Sequence, residues 1–386
     1  MKTQQIIIKL DSDFEKILRT ISEDEPDLVL VFGAISFFTS ADFSASVKKR
    51  FPHTTILGCS TAGEIAVDRV YDNTVALTAI KFANTTLRSV STPIINMADS
   101  FDAGARLAAM LPSNDLAGIL IFGTGVSING SALVTGLQSV LPPNIPISGG
   151  LAADAGAFRQ TWTWGTSGVA DNQIVAVGLY GQSIRLSYGT FGGWEPFGPV
   201  RKVTRCIENV LFELDGERAL DVYKRYLGDY AKDLPASGLL FPFEMLGINR
   251  DKSGIFRTIL GVDEADGSLT LAGDIDANGY LRLMHSGTDK LIEGAETAAA
   301  AALAKAGEVG SESLAILVSC IGRKLVMGDR VDEEVEAVAD ILGKHTTITG
   351  FYSNGEIAGT DFHGECRLHN QTMTITWINE IDANLN

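Results

Sequence analysis

Apolar residues fall into two periods along this chain. Leu28 to Gly33, Ile119 to Gly123 and Ala315 to Cys320 are short, continuous apolar runs bounded by turn residues, the pattern of a strand buried on both faces. Thr74 to Phe82 (TVALTAIKF) and Thr372 to Ile378 (TMTITWI) alternate instead, which predicts strands with one buried face. Helix-like segments separate them at Ala41 to Phe51, Ser131 to Val140 and Glu333 to Leu342. Thr54 to Gly58 and Ile145 to Ser148 are β-branched and apolar and suit further strands.

These elements recur in order. The block from His53, HTTILGCSTAGEIA, aligns without a gap on the block from His345, HTTITGFYSNGEIA, with nine of fourteen positions identical. Each unit reads strand, helix, strand, glycine loop, strand. A weaker copy lies between them: Gly149-Gly150-Leu-Ala-Ala-Asp154 stands where the first has Gly58 to Glu64, and NQIVAVGLYG from Asn172 follows as the counterpart of Asn73 to Phe82. Self-similarity of this kind is to be read before any single motif, since it decides the architecture. The fold class expected is α/β, with repeated strand-helix-strand units forming mixed sheets covered by helices. Pro196, Gly198 and Pro199 within Glu195 to Arg205 punctuate the chain, so one domain is expected over about 1–190 and a second over about 200–386. In the second, Ala219 to Leu227 and Glu293 to Lys305 are expected to be helical, and DEADG from Asp263 and DIDANG from Asp274 to be turns.

Composition narrows the partners. With 31 Lys+Arg against 47 Asp+Glu the net charge is −16, which opposes nucleic acid; no basic cluster exceeds Lys48-Lys49-Arg50, so a membrane surface is also disfavoured. No apolar run approaches the ~18 residues of a membrane span, and the first 25 residues lack a signal-peptide pattern. Four scattered cysteines without CxxC spacing are expected to be reduced thiols. A cytoplasmic protein is the expectation. Glycine is in excess at 40 residues, about a tenth of the chain against the usual ~7%.

Part of that excess sits in the repeated loops, where candidate chemistry is concentrated. Gly58, Cys59, Gly63 and Glu64, with Gly355, Glu356 and Asp154 in the other copies, could form ligand sites. Glycines allow close backbone approach, and a carboxylate takes a cation or hydroxyl. Equally, each Gly-Glu pair could be a hairpin corner whose carboxylate caps turn amides. A phosphate loop is excluded by Glu64 standing where a lysine is required. Cys59 as a nucleophile has Phe351 as its repeat counterpart, so the repeat does not require a thiol, and His53 is separated from it by a strand length. His53 and His345 are repeat equivalents at strand entries, and His285 has no evident partner. His363, Cys366 and His369 are close in sequence, but three-residue spacing puts Cys366 and His369 on opposite strand faces. That disfavours structural zinc and leaves a single axial imidazole for haem open.

GCSTAGEI, GGLAAD and the closing GFYSNGEI with LHNQTMTIT resemble the FIST family, a bacterial sensory module with N-terminal and C-terminal FIST domains. Val203 to Tyr223 is similar to the family's inter-domain connection, and the resemblance spans about residues 25 to 380. It implies a sensor of small ligands, amino-acid-like, in signal transduction. A two-domain chain with no fused output domain further resembles the NosP subset, which implies haem b, nitric oxide sensing and contact with a separate histidine kinase or cyclic-di-GMP enzyme rather than catalysis. On that reading His369 is the expected iron ligand and His285 the second choice. Phe351, Tyr352, Met373 and Trp377 are then expected around the distal side. Oligomeric state is open, a homo-oligomer being allowed.

Overall fold

The computed structural model describes residues 1–22, 24–306, 312–359 and 365–381. The first unit contains β1 (Lys2–Lys9), α1 (Phe14–Leu18), β2 (Leu28–Gly33), α2 (Ile35–Phe38), α3 (Ala41–Arg50), β3 (Thr55–Ser60), a hairpin of β4 (Glu64–Ala66) and β5 (Arg69–Tyr71), and β6 (Thr74–Lys81). The second repeats the plan with β7 (Thr86–Pro93), α4 (Ser100–Ala109), β8 (Leu116–Gly123), α5 (Gly130–Val140), β9 (Ile147–Leu151), the hairpin β10 (Thr163–Gly165) and β11 (Gly168–Ala170), and β12 (Gln173–Tyr180).

The third unit is split. Its first strand, β13 (Ile184–Phe191), is followed by an inserted sheet: β14 (Glu195–Ile207), β15 (Val210–Leu214), β16 (Glu217–Arg218), α6 (Ala219–Leu227), β17 (Phe243–Leu246), β18 (Lys252–Arg257), β19 (Ile259–Asp263), β20 (Ser268–Leu271) and β21 (Tyr280–His285). The unit then resumes with α7 (Thr288–Ala304), β22 (Ser313–Cys320), α8 (Ile321–Met327), α9 (Asp332–Leu342), β23 (Thr346–Ser353), the hairpin β24 (Gly355–Gly359) and β25 (Cys366–His369), and β26 (Met373–Glu380). The weak middle copy is thus a full structural repeat.

All three units share one topology. A parallel pair, β2/β3, β8/β9 or β22/β23, is joined on one side by the antiparallel strand β6, β12 or β26, which pairs in turn with β1, β7 or β13. Each unit donates its hairpin to a neighbour: β4 pairs with β23, β24 with β9, and β10 with β3. Three six-stranded sheets are therefore closed cyclically, each completed by an arm from another unit.

Alternation along the buried strands explains why they read as continuous apolar runs. Leu28, Leu30 and Phe32 face a core shared by all three sheets, with Leu120, Phe122, Ile316, Val318 and Phe351. Val29 and Val31 face the helical layer of their own unit. Phe32, Phe122 and Phe351 meet there, with ring centroids 4.8 to 5.7 Å apart, within the range of favourable aromatic pairs. Helix starts are capped locally: Ser40 accepts from the Phe43 amide ahead of α3, and Asn129 from the Ala132 amide ahead of α5. Gly58, Gly149 and Gly350 occupy the same position in the three units, and a β-carbon at any of them would overlap the carbonyl of Val31, Ile121 or Leu317 on the parallel partner strand.

The Pro/Gly-punctuated stretch expected as a boundary lies inside β14. Its pairing with β21 is broken in register between Pro196 and Val200, the kind of irregularity where a strand tolerates proline. β14 leads from the body of three cyclically joined sheets, the barrel, into the inserted sheet, which has its own core around Val203, Leu211, Leu220, Tyr223, Phe243 and Leu281.

Candidate functional site

The repeated acidic loops are buried, and their carboxylates are engaged by their own turns. Glu64, 1% exposed, accepts from the Thr61 hydroxyl at 2.5 Å and from the amide and hydroxyl of Thr74 at 3.2 and 2.8 Å. Glu356 does the same with the Ser353 hydroxyl at 2.8 Å and the amide and hydroxyl of Thr372 at 3.1 and 2.8 Å. Asp154 accepts from the amides of Phe158, Arg159 and Gln160. Burial pushes both glutamates up to about 7, against the pull of their hydrogen bonds. This is the geometry of a hairpin corner with a capping carboxylate. Gly63 holds φ +140° beside the Lys324 side chain, whose ammonium donates to the Ala62 carbonyl and to Asp72. Gly355 opens β24 directly after that corner.

Cys59 lies in the shared core with no exposure, and burial raises its thiol well above the ordinary range, the reverse of an activated nucleophile. Phe351 packs in the same core. Tyr352, Met373 and Trp377 lie on the other face, beneath the helices of the third unit. These four side chains are therefore divided between two cores, and none lines the cavity that His369 borders.

That cavity, of about 320 Å³, opens where the inserted sheet meets the barrel. Thr190 and Phe191 come from β13, and Gly192, Gly193, Trp194 and Pro196 from the link into β14. Glu244, Lys252 to Gly254, Phe256, Arg282 and Met284 come from the inserted sheet, His369 from the end of β25 and Thr372 from the turn before β26. Arg282 donates to Glu244 at 3.0 and 2.5 Å. The Trp194 indole N–H donates to the Gln371 carbonyl at 2.7 Å. His369 is buried, its Nε2 lying 3.2 Å from the Ala358 carbonyl. His285 is half-buried, with its ring edge to Phe197 at 5.5 Å, and is not part of the lining. His53 and His345 are exposed; His363 lies outside the described residues.

Behind the cavity lip is a buried network with no sequence signal. Arg323 and Glu334, both with fully buried side chains, pair at 2.6 Å. Arg323 also donates to the carbonyls of Gly192 and Leu291. Glu334 accepts from Tyr352 and from Ser319. The spacing of Arg323 and Glu334 across two helices hid the pair, and Trp194, Lys252, Phe256 and Arg282 stand in no repeated motif.

For haem b the residues as arranged do not fit. The cavity's 320 Å³ is at the small end of the ~300–1,000 Å³ that ligand pockets span, whereas a porphyrin is a large ligand. The histidine that borders it also has Nε2 directed to a backbone carbonyl. Among the described residues no cluster of three metal-ligating side chains occurs, and no helix is long and apolar enough to cross a membrane.

No curated protein matches the sequence. Among solved structures, a cyanuric acid hydrolase from A. caulinodans aligns over 98% of this chain and 99% of its own, at 8% identity and a TM-score of 0.36. Residues 27–217 match the FIST N domain and residues 219–359 the FIST C domain; with its repeated barrel and inserted sheet, the chain belongs to the FIST family of small-ligand sensors in signal transduction.

Proposed function

We propose that this chain is the ligand-sensing component of a signalling system and that the junction cavity is its receptor site. One observation carries the reading: the cavity is walled jointly by the barrel, the inserted sheet and the link between them. A ligand held there touches both bodies and favours whichever relative arrangement it fits, which is the thermodynamic requirement for a sensor. The chain acts by binding, not catalysis, and passes its signal by contact with a separate partner such as a histidine kinase or a cyclic-di-GMP enzyme. The acidic loops serve the barrel's corners in this reading.

The test is a thermal-shift screen of the full chain against organic acids, amines and amino acids, repeated on a cavity-blocking Ser253→Trp variant whose fold is checked by circular dichroism. Ligand that binds the native state raises the melting temperature by mass action. Shifts lost in the variant support the cavity, and shifts that persist unchanged place the receptor site elsewhere.

A second reading, haem with nitric oxide as signal, is favoured by His369 on the cavity wall. It requires the cavity to widen and His369 to present a nitrogen to iron. Hemin titration decides it: a Soret band lost in His369→Ala and kept in His285→Ala supports haem, and the absence of stoichiometric binding to the wild type removes it.

A further inference from the structure

Resting on the cavity as receptor site, the charge and shape of its walls specify the class of ligand. Lys252 and Arg282 bring two cations to the lining and Glu244 brings one carboxylate. Glu244 is engaged by Arg282 through Nε and one terminal nitrogen, both directed at the same carboxylate oxygen. The other terminal nitrogen, Nη1, has no hydrogen-bond partner among the described residues, and Lys252 has no ion-pair partner among them. In a chain of net charge −16, this wall is locally cationic. The apolar walls are Trp194, Phe256 and Met284. The Trp194 indole is fixed by its bond to the Gln371 carbonyl, which leaves its ring to act as a wall. Thr190 adds a buried hydroxyl with no hydrogen-bond partner among the described residues.

We propose that the cavity takes a small organic carboxylate with a flat or bulky apolar body: the carboxylate at Lys252 and Arg282, the body against Trp194, Phe256 and Met284. Two donors of positive charge recognise an oxyanion. With Glu244 and Arg282 neutralising one another, the wall keeps the net positive charge of Lys252, which an ammonium group would meet as a like charge. Burying the apolar body supplies the affinity and the ion pair the orientation. This separates the ligand from cationic metabolites and from zwitterions, whose ammonium group would have to enter a cationic pocket.

The experiment uses the full chain and four probes of one size: 3-phenylpropionate, 3-phenylpropanol, 3-phenylpropylamine and phenylalanine, with hexanoate as an aliphatic carboxylate, all by isothermal titration calorimetry. The carboxylates are expected to bind at least tenfold more tightly than the alcohol, amine and zwitterion. Lys252→Glu should weaken carboxylate binding at least tenfold, and Lys252→Arg should restore it. Equal or tighter binding of the amine or phenylalanine overturns the proposal, as does carboxylate binding unchanged in Lys252→Glu, or no carboxylate binding at all. Ser253→Trp separates this from the receptor-site reading. If a non-carboxylate probe binds and is lost in that variant, the cavity stands and the anion assignment falls. If every binding probe is indifferent to it, the cavity itself is not the site.

Discussion

Glu64 and Glu356 are equivalent residues in the first and third repeats, and each is held by a hydroxyl three residues upstream and by the amide and hydroxyl of a threonine, Thr74 at the first residue of β6 and Thr372 immediately before β26. Both are buried and both are raised from 4.5 to about 7, with burial the largest cause. The sign follows from proton linkage. Between pH 4.5 and 7 the folded chain retains protons that the unfolded chain has released, so stability falls as pH rises through that window and levels above it. The cost at pH 8 relative to pH 4.5 is on the order of 3 kcal/mol per glutamate. Urea denaturation across pH 5 to 8 should show Glu64→Gln and Glu356→Gln flattening this slope. Slopes matching the wild type would mean that neither carboxylate titrates there.

The three glycines at the strand crossings make a stronger demand. Gly58, Gly149 and Gly350 each leave no room for a β-carbon against the carbonyl of the neighbouring parallel strand, and that backbone cannot yield without opening the ladder. Alanine at any one should destabilise the chain by about 3 kcal/mol or more, well beyond the ~1 kcal/mol spread of ordinary substitutions. Gly287→Ala is the comparison: its φ of −115° suits any residue and nothing lies within 4 Å, so only the small loss of an ordinary exposed substitution, under about 1 kcal/mol, applies. Equal losses at the crowded and open positions would remove the steric argument.

How much of this was legible depends on what sequence periodicity records. Leu28 to Gly33 and Thr372 to Ile378 were readable because alternation and continuity report burial, and Gly58 with Gly350 because duplication preserved their surroundings. The cyclic exchange of hairpins was not, since β4 and β24 read as local corners and their partners lie in other units. Nor was the cavity. Trp194 comes from the link into β14 and Lys252 and Arg282 from separate strands of a non-repeated sheet, and long-range pairing leaves no spacing to find. His369 was singled out from a motif and does border the cavity, while Phe351 and Tyr352, adjacent in the same motif, point into two different cores. Neighbours along a strand face opposite ways, so motif membership could not group them.

Cysteine reactivity should follow burial. Cys59, Cys320 and Cys366 are buried and Cys206 is partly exposed; burial raises all four thiols, Cys206 included. Under native conditions a maleimide reagent should label Cys206 first, the others reacting only as the chain opens. Rapid modification of Cys59 in the folded state, located by peptide mass spectrometry, would contradict its place in the shared core.

Arg323 and Glu334 join the cavity lip to the helices of the third unit. Removing either member strands a buried charge, and the usual cost of breaking such a pair is about 3–5 kcal/mol. Arg323→Met and Glu334→Gln should each destabilise on that scale, whereas the double variant combining these two changes should lose less than the sum, because no charge is left unpaired. The two single variants differ in what they do to the site. Only Arg323 donates to the Gly192 carbonyl, beside Trp194 on the cavity wall. Arg323→Met should therefore weaken 3-phenylpropionate binding several-fold, and Glu334→Gln, which keeps that bond, should leave affinity near the wild-type value at temperatures where both are folded. If the two variants lose affinity in proportion to stability alone, Arg323 is a structural residue and does not position the lip.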